Sequence, residues 1–245
     1  MKCLILAAGY ATRLYPLTEN FPKSLLMVGK KCILDWLIDD IEACGCMDAY
    51  VVISNHKYAG HFAEWVRTRG EEITVVDDGT SSNETRLGAV KDIQFAINEL
   101  RLDDDLLIIA GDNVLDFSLV HFINYAKEKN TTCIMRYYEP NEERLRKTGV
   151  VQIDENDRII CMEEKPSAPK SHWCTPPFYY CIRQDLEQVK RGIETGCGTD
   201  APGSFIAWLS TQVPVHAYEM PGKRYDIGNL ASYEEVKQTF KGIES

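Results

Sequence analysis

The sequence predicts an α/β protein with a mixed, mainly parallel central sheet flanked by helices, and three observations carry that reading. Short apolar runs at Cys3 to Ala8, Tyr50 to Ser54, Ile73 to Val76 and Leu106 to Ala110 alternate with stretches whose apolar residues recur at helical spacing. In the second half, two strand-length runs are split by Asp154-Glu155-Asn156-Asp157, the composition of a tight turn. No internal repeat, low-complexity tract or linker interrupts the 245 residues, and their 44% hydrophobic content suffices for a sizeable core, so a single domain over 1–245 is expected.

Taken in order, the opening run is apolar throughout, as in a parallel strand covered on both faces. Ile33, Leu34, Leu37, Ile38 and Ile41 fall on one helical face, and Gly45 stands where that helix can stop. Tyr58, Phe62, Trp65 and Val66 form the next helical stripe, and Leu87, Val90, Ile93, Ile97 and Leu100 another. Strands joined by helices of this length imply right-handed crossovers in a doubly wound, Rossmann-like arrangement. A helix over 118–129 leads to strands at Thr131 to Met135, Gly149 to Ile153 and Arg158 to Met162, the last two an antiparallel hairpin. Pro176 to Ile182 reads as a strand and Asp185 to Ile193 as a helix. Ala201-Pro202-Gly203-Ser204 reads as the start of a helix through Leu209, since Pro suits a first turn. Val213 to Tyr218 and Ser232 to Phe240 finish as strand and helix.

Composition narrows the function. A net charge of −10 argues against general affinity for nucleic acid or anionic lipid, which need a basic face. No apolar run approaches the length of a membrane span, and the N-terminus lacks the basic, apolar and small-residue order of a signal peptide, so a soluble, cytoplasmic protein is expected. Nine scattered cysteines in a chain this long do not make a disulfide framework and read mostly as small buried hydrophobes. Cys44-Gly45-Cys46 has no second pair nearby with which to hold a metal. The oligomeric state is left open, a homo-oligomer included.

In so acidic a chain, attraction for an anionic ligand must be local. After the first strand, Leu6-Ala7-Ala8-Gly9 supplies small residues that let an anion approach backbone N–H groups. Arg13 and Lys23, the latter read as an exposed loop cation, add positive charge. The pattern suits a nucleoside triphosphate, although it is neither a Walker A loop nor a G-x-G-x-x-G turn, and an ordinary strand-to-loop connection is the alternative on spacing alone. Asp112 follows the Leu106 to Ala110 strand, at the edge where open α/β sheets collect ligands; there a carboxylate either holds a metal or caps the next helix. Glu163-Glu164-Lys165-Pro166 on pattern alone is a solvated strand end, and Asp77 to Ala89 a loop with a helix cap.

The stretch L-A-A-G-x-x-T-R-L-x-P-L-T followed by Pro22-Lys23 resembles the signature of the sugar-phosphate nucleotidyltransferases, the family of glucose-1-phosphate thymidylyltransferase. Gly111-Asp112-Asn113, Gly149-Val150-Val151, Glu163-Glu164-Lys165-Pro166 and Tyr225-Asp226-Ile227-Gly228-Asn229 recur in matching order, so the resemblance covers nearly the whole chain. Tyr10 and Ala11 depart from it, standing where many relatives carry small residues or glycine.

The resemblance implies a nucleotidyltransferase fold of GT-A type, with 1–130 as the nucleotide-binding half and 131–245 as the sugar-phosphate-binding half. The implied reaction joins an NTP to a sugar 1-phosphate, giving an NDP-sugar and pyrophosphate by in-line attack on the α-phosphate. Arg13 would neutralise the triphosphate, Lys23 would bridge the attacking phosphate and the α-phosphate, and Asp112 and Asp226 would share Mg²⁺. Leu6, Ala7, Ala8, Gly9, Thr80, Asn83, Arg86 and Gly88 would line the nucleotide site. Members for thymidine nucleotides typically show a Gln and Gly-Leu-Ala there, whereas this chain has Arg86-Leu87-Gly88-Ala89, so the base stays open among dTTP, UTP and CTP. Gly149, Glu164, Lys165 and Thr175 would bind the sugar phosphate, with Pro176-Pro177 in place of the family's Thr-Gly pattern. Two alternatives stand beside this reading. A glycosyltransferase of related fold normally needs Asp-x-Asp where this chain has Gly111-Asp112-Asn113, and a non-catalytic regulatory homologue tends to lose the cations and carboxylates that are present here.

Overall fold

The computed structural model describes residues 1–69 and 72–243. Its first elements are β1 (Lys2–Leu6), β2 (Met27–Val28), β3 (Lys31–Cys32), α1 (Ile33–Ala43), β4 (Ala49–Ser54), α2 (His56–Arg69), β5 (Ile73–Asp77), α3 (Ala89–Leu100), β6 (Leu106–Ala110) and β7 (Asn113–Leu115). There follow α4 (Val120–Lys129), β8 (Thr132–Tyr138), α5 (Glu142–Leu145), β9 (Gly149–Ile153), β10 (Ile159–Glu164), β11 (Trp173–Thr175), β12 (Phe178–Cys181), α6 (Glu187–Glu194), α7 (Pro202–Leu209), β13 (Val215–Glu219), β14 (Arg224–Asp226) and α8 (Leu230–Thr239). The chain divides into two compact units: Met1–Arg86, Ala110–His121 and Pro221–Ser245 form one, and Leu87–Ile109 with Phe122–Met220 form the other.

In the first unit β1, β4 and β5 run parallel, with Leu4 opposite Val51 and Val52 opposite Val75. Cys3, Leu4 and Ile5 are wholly buried, which explains the uninterrupted apolar run of β1. α1 buries the five residues read from its spacing, and Gly45 just past its end takes the left-handed conformation (φ 60°) that glycine adopts without penalty. Its start was not legible, because Cys32 serves as N-cap in a box with Asp35.

The second unit is mostly antiparallel. β12 lies between β6 and β8, β11 joins β8 to β9, β9 pairs with β10, and β13 runs parallel to β8. The expected hairpin is present: Val151 faces Met162, and Asp154 Oδ1 closes the turn by accepting from the N–H groups of Asn156 and Arg158.

Several boundaries differ from the sequence reading for local reasons. The strand read from Pro176 begins at Phe178, because Pro176 and Pro177 have no N–H for the ladder, and Trp173–Thr175 forms a separate strand before them. The helix read from Asp185 begins at Glu187 after a single turn of 3₁₀ helix over Arg183–Asp185. α8 begins at Leu230, two residues early, because Asn229 accepts from Ser232 N–H as its cap. The nine cysteines are unbonded, and burial pushes the Cys133 thiol up to about 11, far from a reactive thiolate. Among the described residues no helix is long and apolar enough to cross a membrane.

Candidate functional site

Beyond β1 the chain leaves the sheet. Ala7 N–H still donates to Ile53 O (2.9 Å), but the N–H groups of Ala8, Gly9, Tyr10, Ala11, Thr12 and Arg13 reach no backbone acceptor among the described residues. The loop's carbonyls are the committed groups: buried Asn55 donates to Ala8 O (2.9 Å) and buried Thr18 to Ala11 O (2.8 Å), while Tyr58 OH holds Thr18 O (2.6 Å). A loop gripped by its carbonyls leaves those N–H groups available to an anionic ligand. Arg13 is exposed on the short turn Thr12–Leu14 that follows.

Both departures from the family signature have a structural account. Tyr10 is 3% exposed; its ring packs 6.1 Å from that of Tyr58 and its hydroxyl lies 3.2 Å from Thr80 Oγ1, so it anchors the loop from behind. Ala11 is left-handed (φ 47°, ψ 40°), a conformation that costs a residue with a Cβ about 1–2 kcal/mol and glycine nothing.

Lys23 is not the exposed loop cation that the sequence suggested. It lies in a 3₁₀ turn with its side chain 11% exposed, and its Nζ donates to Asp112 Oδ2 at 2.8 Å. Burial pushes the Asp112 carboxyl up, but the charge and hydrogen bond of Lys23, helped by Arg224, outweigh it and hold it below the usual range. Asp112 does not cap a helix. The first N–H groups of the α4 region are taken by Asp40 Oδ2 and Ser118 Oγ, which accept from Leu119 and Val120.

Asp226 reaches this place through a pairing that the sequence did not disclose. β14 lies antiparallel to β7, Asp226 sits opposite Asn113, and Ile227 N–H donates to Asp112 O (3.3 Å). Asn113, missed as a site residue, links the carboxylates' surroundings by donating to Asp112 Oδ1 and accepting from Arg224 (2.6 Å each). Asp226 is exposed and 3.9 Å from Arg224. Among the described residues no group of three or more His, Cys, Asp or Glu is placed to hold a metal. Two carboxylates are a donor set that fits a hard divalent cation whose remaining ligands are substrate oxygens and water.

Each candidate base-binding residue has local partners of its own. The Thr80 hydroxyl donates to Asp78 Oδ1 (2.7 Å), Arg86 donates to Asn83 O (2.8 Å) in a self-closing exposed turn, and Gly88 (φ 91°) caps α3 where a Cβ would stand 2.5 Å from Thr199 O.

In the second unit, by contrast, three residues named from sequence fall in one row. Glu164 of β10 faces Gly149 of β9, which faces Thr175 of β11. Lys165 follows in a left-handed turn (φ 49°) and its N–H donates to Thr148 O (3.0 Å). Thr175 Oγ1 is buried with no hydrogen-bond partner, and burial pushes the Glu164 carboxyl above its ordinary range against the pull of Lys165.

A mainly parallel α/β sheet with loop N–H groups, a cation and two carboxylates near its strand ends is the arrangement of a doubly wound fold whose ligand edge lies at the carboxyl ends of the strands. The nucleotidyl transferase family model matches residues 2–241, and the chain belongs to that family. It is 23% identical to a UTP–glucose-1-phosphate uridylyltransferase of Synechocystis sp., with all of this chain and 64% of the relative aligned. It is 27% identical to a glucose-1-phosphate thymidylyltransferase of Neisseria meningitidis over 78% of this chain and 65% of the relative. A solved UDP-glucose pyrophosphorylase complexed with UDP-glucose shares the fold, with a TM-score of 0.82 at 18% identity over 98% of this chain and 97% of that one. The chain spans 44% to 66% of the length of the curated relatives it matches.

Proposed function

We propose that this chain is a sugar-phosphate nucleotidyltransferase, the first unit taking the NTP and the second the sugar phosphate. The observation that carries the reading is the Lys23–Asp112 pair beside the unpaired N–H groups of residues 8–13, with β14 bringing Asp226 to the same strand end. The loop N–H groups and Arg13 bind the triphosphate. Lys23 sits on Asp112 in the free chain and serves the α-phosphate when substrate arrives, as a charge already oriented and largely desolvated. Asp112 and Asp226 would hold Mg²⁺, which supplies charge to the phosphate oxygens. Glu164 and Lys165 orient the acceptor, Glu164 toward hydroxyl groups and Lys165 toward the phosphate, so its oxygen attacks in line without a covalent enzyme intermediate. Nine unbonded cysteines support a reducing, cytoplasmic setting.

The test is pyrophosphate release with Mg²⁺, screened over the four NTPs and dTTP against a panel of sugar phosphates. Formation of one NDP-sugar, suppressed by a chelator, is the expected result and identifies the base. Failure of every pair, with transfer of sugar from an NDP-sugar instead, would replace this reading by a glycosyltransferase.

A further inference from the structure

Gly203 was noted in the sequence only as part of a helix start, yet its surroundings give it another role. It is the second residue of α7, a helical position where glycine is less favourable than alanine. A Cβ there would overlap Glu164 Oε2 and stand 3.2 Å from Glu164 Cδ. Across the same carboxylate lies Gly149, where a Cβ would overlap Thr175 Oγ1 and stand 3.0 Å from Glu164 Oε2. Two glycines from different elements thus leave a slot with no side chain of its own, and the Glu164 carboxylate occupies it. Burial and the charge of Lys165, with no hydrogen bond, act on that half-buried carboxylate, and Thr175 Oγ1 beside it is buried and unpartnered. A buried hydroxyl oxygen without a partner, beside a half-buried carboxylate, belongs next to a ligand that supplies a donor.

We propose that Gly203 is a positioning residue for the acceptor: with Gly149 it seats the Glu164 carboxylate beside the Thr175 hydroxyl, so that the two oxygens jointly receive hydroxyl groups of a neutral, polyhydroxylated ring. The proposal rests on the nucleotidyltransferase reading for the identity of the acceptor. An acceptor with an anionic ring substituent is disfavoured, because Glu164 would meet like charge and Lys165 is the cation acting on it among the described residues. Thr175 distinguishes hydroxyl patterns because it both donates and accepts, whereas Glu164 only accepts.

Gly203→Ala tests this cleanly, because the atom it displaces is the free end of a flexible side chain rather than backbone. The melting temperature should stay within about 2 °C of wild type, the order of change expected from a few tenths of a kcal/mol in a chain this size. The acceptor KM should rise about tenfold or more with the NTP KM unchanged. In a Glu164→Ala background, Gly203→Ala should add nothing, since the group it acts through is gone. An independent arm follows the Glu164 carboxyl by carbon-13 NMR, assigned with Glu164→Gln: displaced toward water, it should titrate at lower pH in Gly203→Ala than in wild type. An acceptor KM that rises equally in both backgrounds, or not at all, overturns the proposal, as does an unmoved Glu164 titration. If no sugar phosphate is turned over by wild type, the function reading fails while the NMR arm still decides whether Gly203 positions Glu164.

Discussion

Replacing Lys23 by Ala separates the ion pair it makes from the role proposed for it at the α-phosphate. Its ammonium is nearly buried and 2.8 Å from Asp112 Oδ2, whose side chain is 38% exposed. Breaking a fully buried ion pair by removing one partner costs about 3–5 kcal/mol, and an exposed one about 0–1. The half-open Asp112, with Arg224 still nearby, places the loss between them at about 1–2 kcal/mol, or roughly 3–6 °C in melting temperature for a chain of this size. Loss of one preorganised charge from a transferring phosphate costs roughly 10²–10³ in kcat. Activity should therefore collapse at temperatures where the variant is fully folded, measured as pyrophosphate release and a calorimetric melt on one preparation. The pH behaviour follows with a definite sign: the folded Asp112 carboxyl lies below its unfolded value, so the pair stabilises above about pH 4 and that stability is lost as pH falls through the lowered value. Acid destabilisation should be shallower in the variant. Near wild-type kcat with only a raised NTP KM would refute the reasoning, since Lys23 would then bind substrate without serving the transition state.

Asp226→Asn should leave the melting temperature unchanged, because Asn229 rather than Asp226 caps α8, yet it should lower activity severely and recover partly at raised Mg²⁺ or with Mn²⁺; a stable and fully active variant removes Asp226 from the site. Lys165→Ala should raise the KM for the sugar phosphate and leave NTP affinity unchanged in calorimetry, and equal weakening of both would contradict the division of ligands between the units. Asp40, whose carboxyl is pushed up by burial against hydrogen bonds from Leu119 N–H and Ser118, contributes stability present below about pH 4 and lost as pH rises. The melting temperature of Asp40→Asn relative to wild type should therefore rise between pH 4 and pH 8, and a constant difference would show that Asp40 is not raised.

The parallel half of the fold was legible because its signals are local. α1 carries a helical period whose five residues are the buried ones, and β1 and β4 carry short continuous apolar runs that are buried along almost their whole length. The row Glu164–Gly149–Thr175 was legible residue by residue through family likeness, although nothing local placed Thr175 beside Gly149. What could not be read are pairings between short, distant segments. β7 and β14 are three residues each, too short to show alternation, and the Arg224–Asn113 hydrogen bond joins residues 111 positions apart. The burial of Lys23 was hidden for the same reason, since it depends on a partner 89 residues away. The Pro-Gly helix start at Gly203 was read correctly, but the closeness of that glycine to Glu164 depends on a residue 39 positions away and left no local signal.

The first unit is assembled from three separate stretches of chain, and the last of them carries β14. A ribosome delivers residues in order, so the loop N–H groups of residues 8–13, Lys23 and Asp112 all emerge more than a hundred residues before Asp226. Until the final stretch returns to pair with β7, the nascent protein holds half of its carboxylate pair and an edge strand with no neighbour, the exposed backbone that templates association. Closing that pairing is a long-range event of the slow kind that limits folding in β-containing chains. On the proposed function, the carboxylate pair and the pairing of β7 are thus completed in the same late step, by the same three-residue strand.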